Sequence, residues 1–302
     1  MCCAVTSDRG AAADRGQIQV DGLVHLLDLE RIEDSIFRGV SPTVSLPRVF
    51  GGQVAGQALV AAGRTVDPAF AVHSLHAYFI RGGDPAVPIV YIVDPVRDGR
   101  SFCVRRVAAV QHGKAIFTLS ASFQLDERGL EFGQPMPAVP APLSLPSYGE
   151  LLDRTPGLER LSRLPRPIEM RFVDDPPWRR GATAAGEPQM IWMRAAGRLP
   201  DDPLVHVCAV TFASDLTLLD AVLLPHGLSF VLDGVTGASL DHAMWFHRAF
   251  RADEWFLYVS EPVSTSGGRG LAGGRIHSAD GHHVVTVVQE GLMRLPAPPD
   301  RG

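Results

Sequence analysis

At 302 residues, with 46% hydrophobic and 20% charged side chains, the chain has enough apolar material for one large domain or about two ordinary ones. Its 28 basic and 33 acidic residues leave a net charge of −5, without the clustered Lys and Arg that hold a phosphate backbone, so nucleic acid is not expected as a partner. No window approaches the ~18 uninterrupted apolar residues of a membrane span, and Asp8, Arg9, Asp14 and Arg15 stand where a secretory leader would be apolar.

In chain order, the first sixteen residues are small and polar and read as a frayed end. Residues 52–63 carry Val54, Ala58, Leu59 and Ala62 at helical spacing. Strand-like runs follow at 73–80, 88–96, 101–111 and 115–124, broken at Asp98-Gly99 and His112-Gly113. Pro135, Pro137, Pro140, Pro142 and Pro146 then disfavour both helix and sheet pairing, and residues 126–167 read as a linker. A second helix is predicted over 213–224, with Ser214 as its N-cap and Pro225-His226-Gly227 as its stop. Strands are predicted at 242–249, 254–263, 269–278 and 284–294, broken at Asp280-Gly281, before a Pro-rich tail that also reads as frayed.

The two halves are alike. VFGGQVAGQAL (49–59), HSLHAYFIR (73–81) and GKAIFTLSASFQ (113–124) are followed in the same order by TFASDLTLLDAVL (211–223), LDHAMWFHR (240–248) and GHHVVTVVQEGLMR (281–294). Matching Phe50 to Phe212, Arg81 to Arg248 and Gly113 to Gly281 gives offsets of 162, 167 and 168, as expected of one unit used twice. That unit is a long helix followed by an antiparallel meander, an α+β plan in which the sheet wraps the helix.

VFGGQVAGQAL, RDGRSFCVRRVAAVQ, ASDL, DHAMWFHR and VQEGLMR together resemble the type II acyl-CoA thioesterases, from about Leu23 to Arg294 and in that family's order. The resemblance implies two fused hotdog domains, at 17–125 and 168–295, joined by the Pro-rich linker 126–167. It further implies hydrolysis of a fatty acyl-CoA to free fatty acid and CoA, with no metal or organic cofactor, by a protein that tends to form homo-oligomers. Its water-activating aspartate falls on Asp215, its hydroxyl residue on Ser239 (Thr in many relatives) and its glutamine on Gln289. In that reading Asp215 takes the proton from water, Gln289 fixes the water and Ser239 holds the carboxylate rotamer. The offsets place Gln53, Val72 and Ala121 opposite these three, so a single working site in the second half is expected.

Each residue also has an ordinary explanation. An acid in a first helical turn stabilises it by about 0.3–1 kcal/mol, which would suffice for Asp215. Ser239 alone carries no signal. Gln289, among Val284, Val285, Val287 and Val288, would be costly to bury unpaired and is the most informative of the three.

His242 and His247 stand an odd step apart and face opposite sides of a strand, as do His73 and His76, so no metal site is expected. Four cysteines (Cys2, Cys3, Cys103, Cys208) without CxxC spacing suggest neither a zinc ribbon nor disulfides, and fit a reduced, cytoplasmic protein. Gly268 to Gly273 match G-x-G-x-x-G but lead into a hairpin rather than a helix, so no dinucleotide is expected there. G-x-S-x-G and the P-loop pattern are absent. A hotdog enoyl-CoA hydratase is the alternative enzyme, but five residues after Asp215 and Gln53 stand Asp220 and Ala58 rather than the required His. The non-enzymatic alternative is an acyl-CoA-binding regulator, against which the intact trio argues.

Overall fold

The computed structural model describes residues 4–42, 47–162, 164, 166–180 and 187–296. The first half comprises helix α1 (Ala4–Leu27), strands β1 (Glu30–Glu33) and β2 (Ile36–Gly39), helix α2 (Gly51–Gly63), and strands β3 (Phe70–Phe79), β4 (Ile89–Asp98), β5 (Phe102–Gln111) and β6 (Lys114–Leu125). Short helices α3 (Tyr148–Asp153) and α4 (Glu159–Ser162) lead to β7 (Ile168–Phe172), α5 (Pro177–Arg180), β8 (Gln189–Ala195) and α6 (Pro203–Ser214). The chain continues through α7 (Asp220–Leu223), β9 (Thr236–Ser239), β10 (Asp241–Phe246), β11 (Phe256–Ser266), β12 (Arg269–Ser278) and β13 (His283–Arg294).

The described strands form one sheet in the order β1-β2-β4-β5-β6-β3-β10-β13-β12-β11-β8-β7, with β9 on β13. The order of the first half is repeated in reverse by the second, and the halves join where β3 pairs antiparallel with β10. In the first half α2 packs on β4, β5 and β6, and in the second α6 lies against α2, α1 and β3 while α7 packs on β11 and β12. In α2 the run Gly52–Ala62 is buried throughout, so its core faces strands on one side and the other half on the opposite side. The result is two fused hotdog units with an α+β plan.

The helices α2 and α6 lie antiparallel across the seam, brought together by glycines. A Cβ on Gly52 would fall 2.5 Å from the Phe212 carbonyl oxygen, one on Gly56 3.3 Å from that of Cys208, and one on Gly63 2.7 Å from the Leu204 side chain. Small residues let two helix backbones approach where larger ones would hold them apart. The antiparallel arrangement also sets the positive end of α2 beside the negative end of α6.

Four expectations need correction. The second helix is not 213–224. It runs Pro203–Ser214, started by the Asp202 side chain accepting from Leu204 N–H and by Pro at N1, and Asp215 is its C-cap. The helix offset of 162 is therefore wrong, because α2 and α6 end at equivalent C-caps, Arg64 and Asp215. The strand offsets hold: Leu75–Ala121 in β3·β6 sits where His242–Gln289 sits in β10·β13, and Val72–Phe123 where Ser239–Gly291 sits. The counterpart of Asp215 is thus Arg64, not Gln53. Its guanidinium is tied to the Leu29 carbonyl (2.7 Å) and the Asp28 carboxylate (2.6 Å).

From Ala4 onward the N-terminal region is helix rather than a frayed end, anchored by buried Val20, Leu23 and Leu27 on one stripe. The Pro-rich stretch is not a bare tether either. Trp192 donates its indole N–H to the Pro140 carbonyl (2.9 Å), and Ser147 and Glu150 form a capping box that starts α3. Of the expected frayed tail, residues 297–302 lie outside the described residues. The G-x-G-x-x-G run does open a hairpin: Gly267 and Gly268 take positive φ at the β11–β12 turn.

Candidate active site

Asp215, Ser239 and Gln289 come from the end of α6, the end of β9 and the middle of β13, and they meet. The Gln289 amide nitrogen donates to Asp215 Oδ1 (2.6 Å) and to Ser239 Oγ (2.7 Å), and the Ser239 hydroxyl donates to the same Oδ1 (3.2 Å). Both amide protons of Gln289 are thereby used. In this arrangement Gln289 joins Ser239 in orienting the carboxylate.

The other carboxylate edge faces the first half. A Cβ on Gly51 would lie 2.6 Å from Asp215 Oδ2, and the Gly52 backbone N–H is among the groups that favour the ionised carboxylate. Phe50, the N-cap of α2, offers no side-chain acceptor, so the first-turn N–H groups are left for partners outside the helix. The site is therefore built on the seam, with the acid from one half and a helix N-terminus from the other. A sequence signal for this existed in the paired glycines of VFGGQ, which precede no strand turn and open a helix directly.

Aromatic side chains make the surroundings apolar. Phe79 lies against Gly51, Phe50 and Phe212 meet edge to face (5.0 Å between centroids), and the Tyr258 hydroxyl donates to the Ser214 carbonyl (3.2 Å). This desolvation pushes the Asp215 carboxyl above the ordinary range, opposed by neighbouring His242, by the bonds from Gln289 and Ser239, and by the Gly52 backbone N–H. The ordinary explanation of Asp215 fails, because an acid at a helix C-terminus opposes that helix's dipole rather than complementing it.

Gln53, the expected first-half counterpart of Asp215, is 2% exposed and spends its amide on the Val40 carbonyl (3.2 Å) and Ser41 Oγ (3.0 Å). That is a structural role. Among the described residues no group of three metal-ligating side chains exists, and no helix is long and apolar enough to cross a membrane. A cavity of about 600 Å³ lies elsewhere, at the opposite end of the α2–α6 pair, between Val60, Arg64, Leu204 and the α1 residues Val24 and Leu27.

Asp220, at the start of α7, is a second acid that burial pushes up, to about 7, and among the described residues no cation pairs with it. A carboxyl that is neutral when folded and ionised when unfolded contributes its stability fully below the unfolded value. That contribution is lost as pH rises through the folded one. Asp220→Asn, which keeps the neutral shape, is therefore expected to raise Tm at pH 8 by about 5 °C. The gain should shrink toward zero near pH 4 in a thermal-melt series. An equal gain at both pH values would place the carboxylate in ordinary solvent.

Comparison with known proteins agrees with the geometry. The family described as Acyl-CoA thioesterase matches residues 165–292, and the Acyl-CoA thioesterase N-terminal domain matches 40–124. Acyl-coenzyme A thioesterase 8 of Mus musculus is 42% identical over 95% of each chain, and Acyl-CoA thioesterase 2 of Haemophilus influenzae is 37% identical over 91% of this chain and 98% of its own. The crystal structure of acyl-CoA thioesterase II TesB2 from Mycobacterium marinum superposes with a TM-score of 0.76 at 43% identity, covering 91% of this chain and 99% of that one. A hot dog fold protein from Alicyclobacillus acidocaldarius, 19% identical with a TM-score of 0.75, shares the fold. With an acid, a hydroxyl and an amide gathered at the seam of two hotdog units, and with relatives this similar along nearly its whole length, the chain belongs to the acyl-CoA thioesterase family.

Proposed function

We propose that the chain hydrolyses a fatty acyl-CoA to free fatty acid and CoA, with Asp215 activating water and Ser239 and Gln289 holding it for that task. The observation that carries this reading is the convergence of both Gln289 and Ser239 on Asp215 Oδ1, which leaves Oδ2 at the mouth of the α2 N-terminus. Water attacks the thioester carbonyl carbon and gives a proton to Asp215. The carbonyl oxygen, gaining negative charge, is stabilised by the positive end of α2. Collapse of the tetrahedral intermediate breaks the C–S bond, and the CoA thiolate receives the proton that Asp215 held. Among hydrolytic leaving groups a thiolate is a good one, so this route needs no separate strong acid.

The domain reading is 17–125 and 168–295, with 126–167 between them, and a single site per chain. The first half presents Arg64, Val72 and Ala121 at the corresponding positions, which supply no carboxylate, hydroxyl or amide. Buried thiols at Cys103 and Cys208 fit a reducing, cytoplasmic setting, and the sheet-edge strands β1 and β7 offer surfaces for self-association. The test is release of free thiol from saturated acyl-CoAs of graded length, beside water addition to crotonyl-CoA. Thiol release across the series supports hydrolysis, while none at any length together with retained acyl-CoA binding would turn the chain into a binding module. In the same assay Gln53→Ala is expected to keep kcat within about 3-fold, because its side chain makes only neutral hydrogen bonds, to Val40, Ser41 and Gln57 of the first half. A loss matching that of Asp215→Asn would place a working site in the first half.

A further inference from the structure

His242 is completely buried beside the site, and the reaction as described makes no use of it. Extending the β10·β13 register by one position from Ala243–Val288 sets His242 directly opposite Gln289. Side chains opposite each other in an antiparallel pair share a face and stand about 5 Å apart at Cβ. Gln289 is also fully buried, and its Oε1 has no hydrogen-bond partner, nor has His242 Nδ1. These two unpartnered atoms belong to side chains that stand across the strand pair from each other, and Gln289 is among the groups that favour a proton on His242. At the other edge of the ring, His242 Nε2 lies 2.8 Å from the Ser214 hydroxyl.

Counting donors closes the chain in one direction. An ionised Asp215 accepts only, so Gln289 must turn its NH₂ toward Asp215 and Ser239, which leaves Oε1 as an acceptor in need of a donor. We propose that His242, as the neutral Nδ1–H tautomer, donates to Gln289 Oε1 while its Nε2 accepts from Ser214, so that His242 is the positioning residue that fixes the amide orientation on which Asp215 depends. Burial lowers the affinity of His242 for a second proton, so the ring stays neutral although Asp215 and Asp241 favour its charged form. Ser214 Oγ also stands 2.9 Å from the Thr211 carbonyl. Were its proton spent there, Nε2 would have to be the donor, and Gln289 Oε1 would be left without one. The first half shows that the fold itself does not need the polar pair, because the equivalent cross-strand position holds Leu75 and Ala121.

This inference rests on the reading that Gln289 holds Asp215, and its first test is independent of turnover. Protein labelled with ¹⁵N-histidine contains 11 imidazoles, and the one absent from His242→Asn identifies His242. A proton on Nδ1 at pH 7 is expected, and a proton on Nε2 overturns the proposal without touching the role of Asp215. The second test is kinetic. Asn places an amide N–H where Nδ1 stood, while Gln reaches Ser214 but offers nothing at that point. His242→Asn should keep kcat within about 3-fold, and His242→Gln and His242→Leu should lose about 10- to 100-fold in kcat at unchanged KM. Equal losses in the Asn and Gln variants of matched Tm would reduce His242 to packing and overturn the assignment.

Discussion

Asp215→Asn is expected to lower kcat for acyl-CoA hydrolysis by about 10³-fold with little change in KM. The substitution removes the only group of the trio that can take a proton from water, and general-base contributions run to about 10²–10⁴-fold. It also removes a charge from an apolar pocket. Because burial holds the Asp215 carboxyl above its ordinary range, the folded state favours the neutral form, so ionisation costs stability as pH rises through the folded value. The Asn variant should therefore be nearly inactive and yet melt higher than the parent at pH 8, with the difference fading toward pH 4. Matched thiol-release and thermal-melt measurements check both parts. An inactive variant that also melts lower at every pH would mean a structural acid had been lost instead. The raised carboxyl further implies that kcat/KM in the parent falls on the acid side at a pH above that of an ordinary aspartate.

Gly51→Ala should be the second most damaging change, and its cause lies in the half that carries no acid. The added methyl would stand 2.6 Å from Asp215 Oδ2 and 2.8 Å from the Phe79 ring. One of the two must move. Gln289 and Ser239 hold only Oδ1 of Asp215, so its Oδ2 edge yields before Phe79, which is packed on Phe117 at 5.1 Å between ring centroids. A displacement of about 1 Å at a reacting group costs about 10²-fold in rate. Alanine also extends helix propensity in α2, which offsets part of the strain. The expected result is a kcat lowered by about 10²-fold with Tm changed by no more than about 3 °C. A variant with parental kcat would show that the α2 N-terminus does not bound the reacting space.

The strands of the meander were legible to within a few residues because turn chemistry marks them. His112-Gly113 and Gly281 take positive φ at the hairpin turns where the sequence places the breaks. The second helix was misplaced for a physical reason. VHVCAVTFA carries buried residues on more than one side because α6 lies against α2, α1 and β3, so no amphipathic period marks it. Asp202-Pro203 is a start signal in the sequence, and the more leucine-rich run after Asp215 competes with it. The strands β2 and β8 are short and lie far along the chain from β4 and β11, with which they pair, so no local pattern joins them.

The resemblance names Asp215, Ser239 and Gln289, and the apolar company of Gln289 singles it out independently, but neither gives the direction of its bonds. That direction depends on which side chain stands across the strand, and so on a register that joins residues 47 positions apart. The contribution of Gly51 and Gly52 was hidden for the same reason. The sequence shows a glycine pair opening a helix, but not that the helix points at an acid far along the chain.

The glycine-lined contact between α2 and α6 carries a consequence for how such a chain can change over time. On the proposed single site, with Arg64, Val72 and Ala121 at the positions that match Asp215, Ser239 and Gln289, the amino-terminal unit has no reacting side chain of its own to lose. It still cannot be discarded or exchanged freely, because the helix N-terminus that faces the Asp215 carboxylate belongs to it. Selection on turnover therefore reaches the catalytically silent unit through its backbone rather than its side chains. Substitutions there are restrained where the two helices touch, and far less so along the outer strands.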